Sequence, residues 1–317
     1  MLYTTYIWLI CTIGAVIWFI ALIHTLNQSN ATTRKFRHLN LWPFNLITHT
    51  SQHITPSQTQ PITPVKPSNL GKSIGVYSIQ GQRGHMEDSY YANIDLPYFG
   101  VFDGHGGSRC SEFITTQLYT HIVKHNIYDG CESAIVQGFR QTDYDWLQLA
   151  THNSYDDGST AICGIICNNI LYVASCGDSR AVLCSNGRAI DMSVDHKPSR
   201  TDEKQRIESL GGRIIHYGTW RVEGVLAVTR SFGDRRLKKY VTAEPEIHTH
   251  QLTQNDDWLI LATDGVWDVL SSQNVVDTAI TCNDCKAAAE LITMNAYRAN
   301  SADNITCMVI DLRTLRH

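Results

Sequence analysis

Residues 101–107 read VFDGHGG, an apolar pair running into an aspartate, a glycine, a histidine and two more glycines. With Tyr98, Phe99 and Gly100 ahead of it, the pair closes a short run rich in aromatic and β-branched residues, which is the pattern of a buried strand. A turn would explain an Asp-Gly here. It would not explain why the strand delivers a carboxylate and then surrounds it with residues that have almost no side chain.

Six further runs have the same strand character: IGVYSIQG, AICGIIC, ILYVASCGD, RAVLCS, WLILATDG and NITCMVIDL, each bounded by Gly, Asp or Asn. Helical spacing of apolar residues predicts helices over 108–126, 131–150, 203–210 and 286–298. The strands come mostly as hairpins and meanders, and the helices come in runs of one or two. That order predicts an α+β fold, an α/β/β/α sandwich of two antiparallel β-sheets flanked by helices, over an alternating parallel one.

Four other stretches repeat the form of VFDGHGG: GHMEDSY (84–90), SCGDSRAV (175–182), LATDGVWDV (261–269) and SADNITC (301–307). Each sets an Asp at the lip of an apolar run. One such Asp is ordinarily a turn former or a helix cap, but five at emerging strand ends call for another account. If they converge, each carboxylate pair about 5 Å apart repels by roughly 3 kcal/mol at an effective dielectric near 20, so the cluster needs cations or protonation. An all-oxygen set suits Mg²⁺ or Mn²⁺. The absence of Cys and His from it disfavours zinc, and no twelve-residue loop of Ca²⁺ ligands occurs.

The chain of 317 residues carries 26 Lys and Arg against 30 Asp and Glu, a net charge of −4, so nothing in the charge balance favours nucleic acid. Its ten cysteines are scattered, mostly within apolar runs, which reads as reduced, buried thiols. The close pair Cys282 and Cys285 reads as a loop or helix-cap accident.

From Ile7 to Ile23 the chain reads IWLICTIGAVIWFIALI, with no charged residue before Arg34, and this is long enough to span a bilayer. A cleaved signal peptide is disfavoured by the missing basic segment. Arg34, Lys35 and Arg37 follow the span, which places the rest of the chain in the cytosol. Five of the eight prolines fall between 38 and 70, an extended tether. The expected organisation is an anchor over 1–33, a linker over 34–72, a folded domain over 73–312 and a tail over 313–317.

The five acidic segments, together with GSTA (158–161), DHKPSRTDEKQRIESLGG (195–212) and RVEGVLAVTRSFGD (221–234), resemble in this order the metal-dependent Ser/Thr protein phosphatases of the type 2C family. Within it, VYSIQGQRGHMED, GTWRVEGVLAVTRSFGD and the N-terminal span look most like the endoplasmic-reticulum-anchored member. The resemblance implies that Asp103 bridges two metal ions, with Gly104 contributing its backbone carbonyl. It implies that Glu87 holds one metal, and Asp264 and Asp303 the other, with Asp88 in support. Asp178 and Asp268, with Asp264, match a weaker third site. Arg83 matches the arginine that grips the substrate phosphate, and His105 the general acid.

The implied activity is hydrolysis of phosphoserine and phosphothreonine in phosphoproteins by a monomeric catalytic domain with two Mg²⁺ or Mn²⁺ and a weaker third. Two cations about 3.5–4 Å apart activate a shared water, so that no protein nucleophile is required. A histidine is the natural proton donor to the departing alkoxide, and an arginine can clamp two phosphate oxygens. Residues 195–234 are expected to form a flap carrying Trp220, whose Lys and Arg residues either select phosphopeptides or make a solvated face. The alternative function is a membrane-tethered scaffold that keeps the fold and acts mainly by binding.

Overall fold

The computed structural model describes residues 73–315. The expected membrane span and the proline-rich tether lie outside the described residues, and among the described residues no helix is long and apolar enough to cross a membrane.

Two five-stranded sheets form the body. The first contains, in spatial order, β1 (Ile74–Ile79), β15 (Ile305–Asp311), β14 (Asp256–Ala262), β8 (Arg180–Ser185) and β9 (Arg188–Asp191). The second runs β13 (Glu246–Gln251), β7 (Ile170–Cys176), β6 (Ala161–Cys167), β3 (Tyr98–Phe102) and β2 (Ser89–Asn93). Every pairing in both is antiparallel. A two-residue turn of Asn or Gly joins one hairpin in each sheet: Asn168 and Asn169 (φ 52° and 59°) between β6 and β7, Asn186 and Gly187 (φ 50° and 72°) between β8 and β9. Left-handed residues at both central positions match the right-handed strand twist, and Asn and Gly tolerate that region best.

The alternation of side chains along the strands separates three apolar layers. Phe99 and Val101 of β3, Ile162 of β6, Leu259 and Leu261 of β14, and Met308 and Ile310 of β15 fill the space between the sheets. On the far side of the second sheet, Phe102, Cys163 and Ile165 pack against Ile114, Leu118 and Ile122 of α1 (Arg109–Val123), and Ile135, Phe139 and Trp146 of α2 (Ile127–Asn153). On the far side of the first, Val182, Ile260 and Val309 meet Val275 and Val276 of α5 (Ser272–Ile280), and Ala288 and Ile292 of α6 (Cys285–Arg298). The α/β/β/α sandwich expected from the strand pattern is therefore the observed one.

The seven expected strands all form, and the helices expected over 108–126, 131–150, 203–210 and 286–298 correspond to α1, α2, α3 (Thr201–Ser209) and α6. The sequence reading missed α5, whose nine residues follow the cap Ser271, the strand β2, and the mostly polar strands β9 and β13. It also missed a hairpin, β10 (Ile214–Tyr217) with β11 (Thr219–Val222), and a small sheet of two-residue strands, β4 (Gly104–His105), β5 (Gly158–Ser159) and β12 (Phe232–Gly233). Two-residue strands have no period to read.

All nine described cysteines are free, and all but the half-buried Cys282 are buried. Cys285 opens α6, where the side chain of Asp284 accepts from Ala287 N at 2.8 Å, so the Cys282 and Cys285 spacing is a helix-cap accident.

Candidate active site

Strand ends from both sheets come together at one edge of the sandwich. Asp103 follows β3 and Asp178 follows β7 in the second sheet, while Asp264 follows β14 and Asp303 precedes β15 in the first. A cleft of about 260 Å³ is lined by Arg83, Glu87, Asp103, Gly104, His105, Asp178, Asp264 and Asp303, with Thr160 on the floor side and Arg221, Leu226, Ala227 and Val228 from the flap. Eight of the ten residues expected in the site thus meet here. Asp88 and Asp268 do not line the cleft: each is tied to a neighbour beside it.

Local bonding fixes these positions. Asn304 donates through Nδ2 to the carbonyls of Gln80 (2.8 Å) and His85 (2.9 Å), and its Oδ1 accepts from Glu87 N (2.8 Å), so one amide clasps the 80–87 loop against Asp303. Gly104 presses on the Glu87 carbonyl so closely that a Cβ would lie 2.4 Å from it and 2.9 Å from Ser111 Oγ. No other residue fits there without moving Glu87. Asp88 Oδ2 accepts from Thr306 Oγ1 (2.7 Å) and Thr263 Oγ1 (3.2 Å), while its buried Oδ1 has no partner.

The electrostatics are those of a carboxylate set without enough positive charge. Burial, then the charges of Asp264, Asp88, Asp178 and Asp303, push Asp103 well above the usual carboxylate range. Burial and Asp264 do the same to Asp178, against the nearby Lys197 ammonium. Burial raises Asp88 to about 7 despite its two threonine donors. Asp264 is raised to about 6, by burial first and then by Asp303 and Asp268, and its Oδ1 is a second buried oxygen without a partner. Oxygens that repel one another and lack donors are the ligand set of a divalent cation, and the all-oxygen chemistry fits Mg²⁺ or Mn²⁺. Among the described residues no three of the His, Cys, Asp and Glu side chains are drawn closely enough together to clasp an ion as they stand.

Two cations of the protein itself reach these carboxylates. Arg83 Nη2 donates to Asp303 Oδ2 at 2.6 Å. Lys197 Nζ donates to Asp268 Oδ1 at 2.9 Å and stands 3.9 Å from Asp178 Oδ2. Asp268 is otherwise well exposed, next to the short helix α4 (Asp264–Trp267). The flap cations therefore follow neither expected reading as a group. Arg206 and Arg230 bind the buried Glu203 at 2.8 and 2.7 Å, Arg200 binds Glu246 at 2.6 Å, and Arg221 lines the cleft. Trp220 lies on β11, half-exposed and edge-on to His216.

His105 reaches the cleft from β4 and meets a residue that the sequence reading gave no role. Its Nε2 lies 2.8 Å from Asp234 Oδ2. Burial alone would lower the imidazole pKa, but the charge and hydrogen bond of Asp234 leave it above the ordinary value. The available signal was the Asp closing RSFGD, a strand-like pair ending on a carboxylate as VFDGHGG does.

A family model described as Protein phosphatase 2C matches residues 73–305. The chain is 45% identical over 251 residues to "Probable protein phosphatase 2C 59" of Arabidopsis thaliana, covering 77% of this chain and 81% of that protein. It is 41% identical over 265 residues to "Probable protein phosphatase 2C 45" of Oryza sativa subsp. japonica, covering 81% and 94%. Among solved structures it resembles a C. elegans sex determining protein, with a TM-score of 0.72 and 27% identity over 78% of this chain and 65% of that one. A serine-threonine phosphatase 2C from Toxoplasma gondii shares the fold, with a TM-score of 0.63 and 23% identity over 75% and 94%.

Proposed function

Since the chain belongs to the protein phosphatase 2C family, as a metal-dependent protein-serine/threonine phosphatase, we propose that it hydrolyses phosphoserine and phosphothreonine in the acidic cleft, with two divalent cations bound there. The carboxylate cluster carries this reading: Asp103, Asp178 and Asp264 sit in one cleft, and the charge of Asp264 raises the affinity of both Asp103 and Asp178 for protons or cations.

Asp103 would bridge the two ions, Glu87 and the Gly104 carbonyl would complete one site, and Asp264 and Asp303 the other. Asp178, Asp264 and Asp268 would form a weaker third. When bound, the ions supply an acidified water and neutralise charge on the phosphate oxygens. The remaining work falls to the chain. Arg83, which donates to Asp303 in the described geometry, is exposed and placed on the cleft wall to turn its second nitrogen to a phosphate oxygen. His105 gives a proton to the departing Ser or Thr oxygen, and Asp234 offsets the charge of the imidazolium that must exist beforehand. Leu226, Ala227 and Val228 make the flap side of the cleft apolar, which limits water around the reacting groups.

The apolar run of residues 7–23 and the Arg34, Lys35 and Arg37 that follow it support a single-pass anchor in the endoplasmic reticulum with the catalytic domain in the cytosol, joined by the proline-rich linker.

The full chain should release phosphate from a phosphothreonine peptide with Mn²⁺ and stop with EDTA. Turnover that persists after complete chelation would overturn the metal-dependent reading. Carbonate extraction of membranes, followed by protease digestion of sealed microsomes, tests the anchor. Release of the chain by carbonate, or protection of the catalytic domain from protease, would overturn it.

A further inference from the structure

The small sheet that the sequence did not foretell is built around the histidine. In it His105 of β4 pairs with Gly158 of β5, and Gly158 in turn pairs with Gly233 of β12, so the residue after β12, Asp234, arrives beside the imidazole. A Cβ at Gly158 would lie 2.2 Å from Asp234 Oδ2 and 2.3 Å from His105 Nε2. The glycine is what allows the two side chains to close on each other.

Asp234 is held in place more firmly than a turn residue requires. Its backbone lies in the left-handed region, φ 47° and ψ 47°, which is uncommon for a residue with a Cβ and persists where the surroundings fix it. Gly233 N donates to Asp143 Oδ1 at 2.9 Å, and Lys238 Nζ donates to the same oxygen (3.0 Å) and to Ser231 O (3.1 Å). Ser231 Oγ donates to Asp234 Oδ2, the oxygen that faces the imidazole. The side chain is only 9% exposed. A desolvated carboxylate whose side-chain partners are one hydroxyl and one imidazole is poor stabilisation in itself.

We propose that Asp234 is the positioning residue of the phosphatase reaction: it fixes the tautomer and ring orientation of His105 for proton delivery. This inference rests on the reading of His105 as the proton donor. Asp234 keeps Nε2 as the bonded N–H, so the proton passed to the departing alkoxide comes from Nδ1. The imidazolium thereby becomes a neutral imidazole that still donates from Nε2 to Asp234, and the alkoxide becomes the free hydroxyl. Asp234 acts through the histidine and never touches the substrate.

The test compares two esters on the full chain with Mn²⁺. A phosphothreonine peptide leaves as an alkoxide and needs the proton, whereas p-nitrophenyl phosphate leaves as a stable phenolate and does not. Asp234→Ala should lower kcat on the peptide by about 100-fold and on p-nitrophenyl phosphate by less than about 5-fold, with KM nearly unchanged, because general acid catalysis is worth about 10²–10⁴. Adding Asp234→Ala to His105→Ala should cost no more than His105→Ala alone. With Mg²⁺ in place of Mn²⁺ and the ring titrated to its neutral form, the side-chain ¹⁵N shifts of His105 should report the Nε2–H tautomer in the native chain and a mixture in Asp234→Ala.

Equal losses on the two esters, additive losses in the double variant, or unchanged imidazole shifts would overturn the proposal. If Asp234→Ala does not fold, Asp234→Asn keeps the volume and the hydrogen bond from Ser231. A folded Asp234→Asn with native activity on the peptide would overturn it equally. A native chain idle on both esters would sink the phosphatase reading and this inference together. A native chain active on both, with Asp234→Ala unimpaired, would sink this inference alone.

Discussion

Two sets of buried and half-buried carboxylates in this molecule have been shifted in opposite directions. In the flap anchor, burial would raise Glu203, but hydrogen bonds from Arg230, Arg206 and Thr229 hold it far below the ordinary range. Glu246, bonded first by His196 and then by Arg200, falls to about 2. In the cleft, Asp103 and Asp178 are driven well up, and Asp88 and Asp264 rise to about 7 and 6. The chemistry of the groups is the same, and the supply of donors differs. Where the chain needs a carboxylate for its own cohesion it brings guanidinium groups to it. Where it leaves carboxylates short of positive charge, the deficit is a specification for what must bind.

That contrast can be broken by mutation. Asp103→Asn should reduce turnover by at least 10³-fold if Asp103 is the proposed shared metal ligand, yet raise the Tm of the chelated protein because it removes a repelling charge. Scanning calorimetry with and without Mn²⁺ checks both signs, and a fall in the Tm of the chelated variant would mean that the cleft carboxylates stabilise the fold. In the flap the expectation reverses. Arg230→Met leaves Glu203, whose side chain is 2% exposed, short of a partner, and should destabilise by about 3 kcal/mol on denaturant unfolding.

Acid and base should sharpen the same distinction. The folded pKa values of Asp88 and Asp264 lie above their unfolded ones, so the folded chain binds more protons between about pH 4 and 7, and stability without metal should fall as pH rises through that window. A loss of several kcal/mol, with a matching fall in Tm, is expected, and saturating Mn²⁺ should abolish it. For Glu246 the sign is opposite. Its folded pKa of about 2 lies below the unfolded value, so its contribution is present above about pH 4.3 and lost as pH falls towards 2. Amide exchange in α3 should therefore accelerate in acid before exchange in α6 does.

The smallest expected effect lies where the two regions touch. Lys197 brings a flap cation within 2.9 Å of Asp268 and 3.9 Å of Asp178. Lys197→Met should tighten Mn²⁺ binding at the proposed third site by about 5-fold, the worth of an exposed ion pair of about 1 kcal/mol. Electron paramagnetic resonance titration of free Mn²⁺ would show it.

Much of this was readable from the chain. Long apolar runs report a strand that is buried on both faces, so β6, β14 and β15 were evident, and with them the three-layer fold. The acidic lips were legible because each strand end advertises its own Asp. What escaped notice was whatever depends on pairing between distant segments. Asn304 acts on residues 80–87, Gly158 sits between His105 and Asp234, and Lys197 reaches Asp268 across 71 positions. Each of these residues is ordinary in its local context, and only the fold gives it a neighbour. The basic residues of the flap stayed open between phosphopeptide selection and a solvated face for the same reason: the carboxylates that hold Arg200 and Arg230, Glu246 and Glu203, lie 46 and 27 positions away.

The distribution of the cleft carboxylates over two sheets has a consequence for the interior. Asp103 and Asp178 ride on one sheet, Asp264 and Asp303 on the other, and Phe99, Val101, Leu259 and Leu261 are wedged between. The greasy filling is a caliper whose jaws carry the two halves of the proposed ion site. Trimming Leu261 to alanine would reset the jaws, and the bound cation would register the change as an altered preference between the smaller Mg²⁺ and the larger Mn²⁺. Ion selectivity in such a molecule is partly written in its oil.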